Sequence, residues 1–473
     1  MIGRQEQIGQ LEEAYSSNRP EMVAIVGRRR VGKTYLVRQV YNGRIDFELT
    51  GLQDNQRDGQ LQNFVFGLGK YFPDFHINHK PADWLDAFNI LTQALESKNK
   101  HEKMVVFLDE LPWLAGPRSG FLTGLGYFWN SWASQKNIVV VICGSAASWM
   151  IKKVINDRAG LHNRVTKMVY LYPFTLAETE AYCQARNIKL NRYHILQLYM
   201  TMGGIPMYLD QLRPGLSAVQ NIQAICFSET GYLRHEFGRL YASLFKNHER
   251  HISIIRALAS KRSGLAREEI VQLTKLANSG MLTETLDELH TSGFITIYNS
   301  FGKKKKESLH RLTDPYSLFY LTFLEPLGKS SQTDFIQLSD LPKWKTWSGY
   351  AFENVCLVHI NQLRKVLGIA GVASSISTFL ARPKDGLPGT QIDLLIDRND
   401  QVINLCEMKF STSAYEVTKK DVENFETKKQ VFQYHTKTKK HLFITLVTTS
   451  GAIENSNKLN HVDQVVTMED LFE

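Results

Sequence analysis

Gly27-Arg28-Arg29-Arg30-Val31-Gly32-Lys33-Thr34 fits the pattern G-x-x-x-x-G-K-[ST], and each fixed position has a chemical reason. The glycines let the backbone close around an anion, and successive N–H groups and a helix N-terminus point at its β-phosphate. Lys33 reaches the β- and γ-phosphates, and Thr34 can ligate Mg²⁺; the anion-binding set runs on into Tyr35. A second pair, Asp109-Glu110, closes the apolar run Met104-Val105-Val106-Phe107-Leu108 as a Walker B strand does. Asp109 would hold Mg²⁺ through its water shell, and Glu110 would orient and deprotonate the attacking water. Together these residues imply a bound nucleoside triphosphate. Ser145, after the run Ile138 to Cys143, is a candidate γ-phosphate sensor; a helix N-cap is the alternative role.

A second constellation lies near the other end of the chain. Gln391 to Ile396 and Val402 to Lys409 form a hairpin pattern across Asp397-Arg398-Asn399-Asp400. Strand side chains alternate faces, so Glu407 and Lys409 share one side and Asp393 on the neighbouring strand can meet them. Asp393 and Glu407 would gather Mg²⁺ or Mn²⁺, and Lys409 would position the water that attacks a phosphodiester. This resembles the D…E-x-K core of the PD-(D/E)xK nuclease superfamily, and Glu353 matches the helical acid often found there. A structural ion pair is the competing reading, since E-x-K also occurs at Glu96 and Glu426 on polar helix patterns.

Elements must hold these groups in place. Met22 to Val26 reads as a buried strand before the phosphate loop, and the helical spacing from Tyr35 to Val40 follows it. Strand and helix patterns alternate to about residue 165, the layout of a parallel sheet wrapped by helices. The expected fold is a multidomain α/β chain. Residues 1–170 form a P-loop parallel-sheet core, 171–247 a helical lid, 248–327 a winged helix, 328–345 a polar linker, and 346–473 a restriction-endonuclease-like α/β domain. In the winged helix, the third helix carries Glu284, Asp287 and Glu288 and no arginine, which favours a packing, regulatory or protein-binding module over a DNA reader. The Lys303 to Lys306 run would be the wing tip.

At 473 residues, with 43% hydrophobic and 22% charged side chains, the chain is long enough for several soluble cores. No run approaches the roughly 18 apolar residues of a membrane span, and the start lacks a signal peptide's apolar core, so a cytoplasmic protein away from the membrane is expected. Cys143, Cys183, Cys226, Cys356 and Cys406 show no C-x-x-C spacing and read as buried hydrophobes. A net charge of +9 mildly favours a polyanionic partner, with DNA preferred among nucleic acids.

The chain as a whole resembles the prokaryotic AAA-type ATPase family, common in archaea and some bacteria, whose members carry a C-terminal restriction-nuclease-like domain. The motifs that carry the resemblance are Ile2-Gly3-Arg4, the phosphate loop, Leu108-Asp109-Glu110, Gly144-Ser145, Asn163-Arg164, Gly203-Gly204-Ile205-Pro206, Leu312-Thr313-Asp314-Pro315-Tyr316 and Asp393…Glu407-x-Lys409. The resemblance implies ATP as the nucleotide, with Ile2, Gly3, Arg4 and Pro206 flanking the adenine. It makes Arg164 a candidate γ-phosphate arginine, although Val165 stands where a second arginine is common, and a capping or salt-bridging role is equally open. Two functions compete: an ATP-dependent DNA-processing enzyme with a metal-dependent nuclease, and a regulatory nucleotide switch whose C-terminal domain only binds a partner. Assembly of identical chains is compatible with either.

Overall fold

Runs of β-branched residues build the first sheet. β1 (Glu21–Val26) and β4 (Ile138–Gly144) are buried at every position, as expected for strands covered by helices on both faces. With β2 (Phe47–Thr50), β3 (Met104–Asp109) and β5 (Lys167–Tyr170) they form a parallel sheet in the order β2-β3-β4-β1-β5. The structure is a computed structural model. It describes residues 1–53, 56–98, 102–156, 161, 163–299, 301–302, 308–328, 335–338 and 342–473. They divide into two units, Met1–Pro173 and Phe174–Glu473.

In the first unit the helices Trp84–Ser97 and Phe121–Ser131 pack through aromatic rings, with Trp84 edge-on to Phe121 at 4.6 Å. Trp84, Phe88, Phe121 and Phe128 are all buried there, a large apolar area that fixes the back of the sheet.

The second unit opens on helices. Leu176–Ala185 starts at a capping box in which Thr175 and Glu178 satisfy each other's backbone N–H groups. Three further helices, His248–Ala259, Arg267–Thr274 and Gly280–Thr291, precede the antiparallel pair β6 (Ile295–Tyr298) and β7 (Leu309–Leu312), with Thr296 opposite Arg311. The lysine run 303–306 lies outside the described residues. The stretch 328–345, expected to be a polar linker, contains Phe335 and Trp344, which are buried: Phe335 stacks on Phe227 and meets Phe319 and Trp344 edge-on, and Trp344 lies tilted against Trp347. Their apolar area outweighs the polar residues around them.

A mixed sheet follows, ordered β12-β11-β10-β9-β8, from β8 (Ser374–Ala381), β9 (Thr390–Arg398), β10 (Val402–Lys409), β11 (His441–Thr448) and β12 (Gln464–Thr467). β8, β9 and β10 are antiparallel neighbours, while the helix Lys419–Thr436 makes the crossover between parallel β10 and β11.

Two helices, Pro342–Val358 and Ile360–Val366, lead toward this sheet, with His359 between them. His359 is buried; its Nδ1 donates to the Val355 carbonyl at 2.9 Å, and its Nε2 accepts from the Leu176 N–H at 3.1 Å. Burial pushes its pKa from 6.5 down to about 4. The unfolded chain therefore binds a proton that the folded chain refuses. This contribution to stability is fully present above the unfolded pKa and is lost as pH falls from 6.5 through about 4. The loss is on the order of 3 kcal/mol. Thermal melts of wild type and His359→Gln between these pH values should converge as pH falls; a constant separation would contradict the assignment.

Candidate functional site

Because β1, β3 and β4 run parallel, their C-terminal ends meet along one edge. Val26 lies beside Gly144 and Leu108 beside Ile142, so Gly27, Asp109 and Ser145 emerge together. The turn after β1 passes close to the chain beyond β5. A Cβ on Gly27 would lie 2.3 Å from the Leu171 carbonyl oxygen, so no side chain fits there. Gly32, at φ 92°, caps the helix Lys33–Val40.

The polar groups of this edge form one connected set. Thr34 Oγ1 donates to Asp109 Oδ2 at 2.7 Å. The Cys143 thiol donates to Asp109 Oδ1 at 2.6 Å, and the Glu110 N–H donates to the same oxygen at 2.9 Å. Ser145 gives both its N–H, at 3.1 Å, and its Oγ, at 2.9 Å, to Glu110 Oε2. Glu110 itself sits in the left-handed region at φ 50°. Such strained backbone is held only where surrounding contacts fix it. Lys33 is buried and folds its Nζ back to the Gly27 and Arg28 carbonyls, each at 2.9 Å. Burial pushes its pKa down, against the pull of Cys143, Glu110 and Asp109. An anion in the loop would relieve that penalty.

The other expected residues divide. Arg4 is buried at φ 63° and donates from Nη2 to the Val31 carbonyl at 3.4 Å, which puts the Ile2-Gly3-Arg4 segment against the loop. Arg28 is buried, Arg29 and Arg30 are half-buried, and Tyr35 is exposed. Arg164 turns to the helix Phe121–Ser131, donating from Nε to Asn130 Oδ1 at 3.0 Å. Pro206 belongs to the second unit, at the first turn of the short helix Pro206–Leu209. The sequence did not single out Cys143 as a partner of Asp109; its position at the end of β4, next to the Asp109 strand, was the available signal.

Residues 1–212 match the family described as an ATPase domain predominantly from Archaea. This part of the chain is similar to ATPase domains of that archaeal type. An uncharacterized protein of Methanocaldococcus jannaschii is 23% identical over 414 residues, 86% of this chain and 87% of its own. Among solved structures, a Walker-type ATPase of Pyrococcus abyssi aligns with 19% identity over 68% of this chain and 96% of its own, at a TM-score of 0.48. The Aeropyrum pernix ORC2 protein in its ADPNP-ADP complexes aligns with 14% identity over 72% and 95%, at 0.42.

Beyond the ATPase domain, the second constellation also comes together. Cys406 pairs with Leu394, so the register carried one residue further sets Glu407 opposite Asp393. Glu353, on the helix Pro342–Val358, joins them through Arg311. Arg311 Nη2 donates to Glu353 Oε2 at 2.9 Å, Nη1 lies 3.7 Å from Asp393 Oδ1, and the guanidinium covers the Tyr350 ring at 4.8 Å. Burial pushes the Glu353 pKa up to about 7, with help from the Asp393 charge and against Arg311. Glu407 is bonded by Lys409, at 2.9 Å, and by Lys428 from the helix Lys419–Thr436. Burial works against its charge, but the two lysines hold its pKa below the ordinary value.

Each carboxylate expected to ligate metal therefore has a protein cation for a partner. Among the described residues no three His, Cys, Asp or Glu side chains are grouped to hold a metal ion. As arranged here, the cluster does not fit a divalent cation. Arg311 and Lys428 were not found from sequence: they lie on other elements, 42 residues from Glu353 and 21 from Glu407 respectively, and nothing in the linear pattern ties them to these acids.

Proposed function

We propose that the protein binds Mg·ATP and hydrolyses it, and that nucleotide state controls what the residues beyond the ATPase domain do. The observation that carries this reading is the Thr34 to Asp109 hydrogen bond, which sets the two Mg²⁺-side oxygens of the loop and strand against each other, with Glu110 next in the chain. Thr34 and Asp109 would hold Mg²⁺, whose chemistry is to neutralise charge on the phosphates. Lys33 binds the β- and γ-phosphates. Glu110 takes the proton of the attacking water, and Ser145 keeps its carboxylate aimed by donating two hydrogen bonds to one oxygen. Ile2, Gly3 and Arg4 remain the candidates to flank adenine, and Arg164 acts as a support for the helix it touches. Phosphate release from ATP by the pure chain, with and without Mg²⁺, tests this; no Mg²⁺-dependent turnover would sink it.

A second reading concerns residues 346–473 and is favoured by Asp393, Glu407 and Lys409 sharing one face of β9 and β10. This segment would be a nuclease-like domain acting on nucleic acid, DNA foremost, and the segment 248–327 a winged helix that docks a regulatory protein. Its acidic third helix also fits a packing role, since Glu288 is already engaged by His251 at 2.8 Å. Cleavage of single- or double-stranded DNA should be lost in Lys409→Ala with DNA affinity kept, because that affinity rests on the wider basic surface and falls with salt. Equal residual cleavage in wild type and variant would mark a contaminant and leave a non-catalytic binding module.

A further inference from the structure

Two residues apart at the end of β4, Cys143 and Ser145 reach different carboxylates at the end of β3. Ser145 bonds Glu110, and the Cys143 thiol donates to Asp109 Oδ1. The register explains the pairing: Leu108 lies beside Ile142, so the next residues along these parallel strands, Asp109 and Cys143, are neighbours. Cys143 is fully buried, and a thiol in such a place ordinarily counts as a small hydrophobe. Its neighbour makes the difference. Asp109 is itself buried, and a buried carboxylate calls for donors on its oxygens. The Oδ2 donor is Thr34 Oγ1, and the Oδ1 donors are the Glu110 N–H and the thiol. Resting on the Mg·ATP reading above, we infer that Cys143 is a positioning residue for the nucleotide's metal: its thiol fixes the rotation of the Asp109 carboxylate and so keeps Oδ2 on the Thr34 side, where the ion and its water shell would be held.

A thiol suits this task because it is a weak donor. It keeps the carboxylate from turning yet withdraws little of the negative charge that a divalent cation must share. Without it, Oδ1 retains the Glu110 N–H alone. One bond at that oxygen lets the carboxylate swing about it, and the Thr34 bond then carries the orientation by itself. Groups that hold a metal-binding side chain in place are typically worth about 10- to 100-fold in metal affinity. Cys226 supplies the contrast: it is just as buried but belongs to the second unit, so losing its thiol costs core packing and leaves Asp109 untouched.

The experiment is calorimetric binding of ATP to the full chain, once with excess Mg²⁺ and once with EDTA, so that each protein gives a ratio of two affinities. Wild type should bind more tightly with Mg²⁺. Cys143→Ala and Cys143→Val should lose about tenfold or more of that ratio and keep the affinity measured in EDTA. Valine refills the space and carries the test if the alanine variant does not fold. Cys143→Ser, which restores a donor, should recover most of the ratio, and Cys226→Ala should lower the melting temperature with the ratio unchanged. Four results would overturn the positioning role and leave the nucleotide site standing: a wild type indifferent to Mg²⁺, a wild-type ratio in the alanine and valine variants, an equal loss with and without Mg²⁺, or a serine variant no better than alanine. A wild type that binds ATP in neither condition would overturn the nucleotide site and the role with it.

Discussion

Lys33→Ala should lose nearly all affinity for Mg·ATP, whereas Glu110→Gln should keep that affinity and lose turnover by roughly 10² to 10³-fold. The two outcomes differ because the side chains serve different stages. Lys33 is buried at the base of the loop and already donates two hydrogen bonds to the loop itself, with the Gly27 and Arg28 carbonyls as partners. Its removal takes away both the charge that meets the phosphates and the tie that holds the loop closed. The Glu110 carboxylate accepts from Ser145, which donates equally well to an amide oxygen. Glutamine therefore preserves the local arrangement and removes only the proton acceptor. Calorimetric binding of Mg·ATP and steady-state phosphate release separate the two, and equal rates in wild type and both variants would overturn the assignment of the hydrolytic site.

Gly204→Ala should destabilise the second unit by about 3 kcal/mol or more. A methyl group there would stand 2.0 Å from the Phe174 carbonyl oxygen and 2.8 Å from its nitrogen, backbone atoms with no rotamer by which to yield. They are also pinned. The Phe174 N–H donates to the Gly204 carbonyl at 2.6 Å, and the Tyr199 hydroxyl donates to the Phe174 carbonyl at 2.9 Å. Moving the chain away from the new methyl breaks both bonds at a buried position. Gly238→Ala is the contrast: it lies exposed in the helix Glu236–Leu244 with open space around it, so alanine should stabilise that helix by about 1 kcal/mol. Thermal melts should move in opposite directions, and a Gly204→Ala protein as stable as wild type would refute the packing argument.

The phosphate-loop edge was legible because its chemistry is local. Gly27 to Thr34 must be contiguous for a backbone to wrap an anion, and a run such as Ile138 to Cys143 has few folds open to it other than a buried strand. The hairpin around Asp397 to Asp400 was legible for a similar reason, since period-two patterns on both sides of a polar turn fix which residues share a face. Linear reasoning did not reach partners that come from separate elements. It offered Ser145 as a γ-phosphate sensor or a helix N-cap, and the fold adds hydrogen bonds from Ser145 to Glu110. It read 328–345 as a linker by counting polar residues, and within those bounds Phe335 and Trp344 are buried.

What the sequence alone determined, then, is the set of groups able to do chemistry and the strands that carry them, because spacing along a strand or loop translates directly into facing or contact. The pairing of those groups was decided only by tertiary structure. Asp393, Glu407 and Glu353 are the same carboxylates in either reading, yet Arg311, Lys409 and Lys428 now neutralise them. Electrostatic energy depends on distance in space, and the chain brings β7 and the helix Lys419–Thr436 to these acids through a fold that no local pattern encodes.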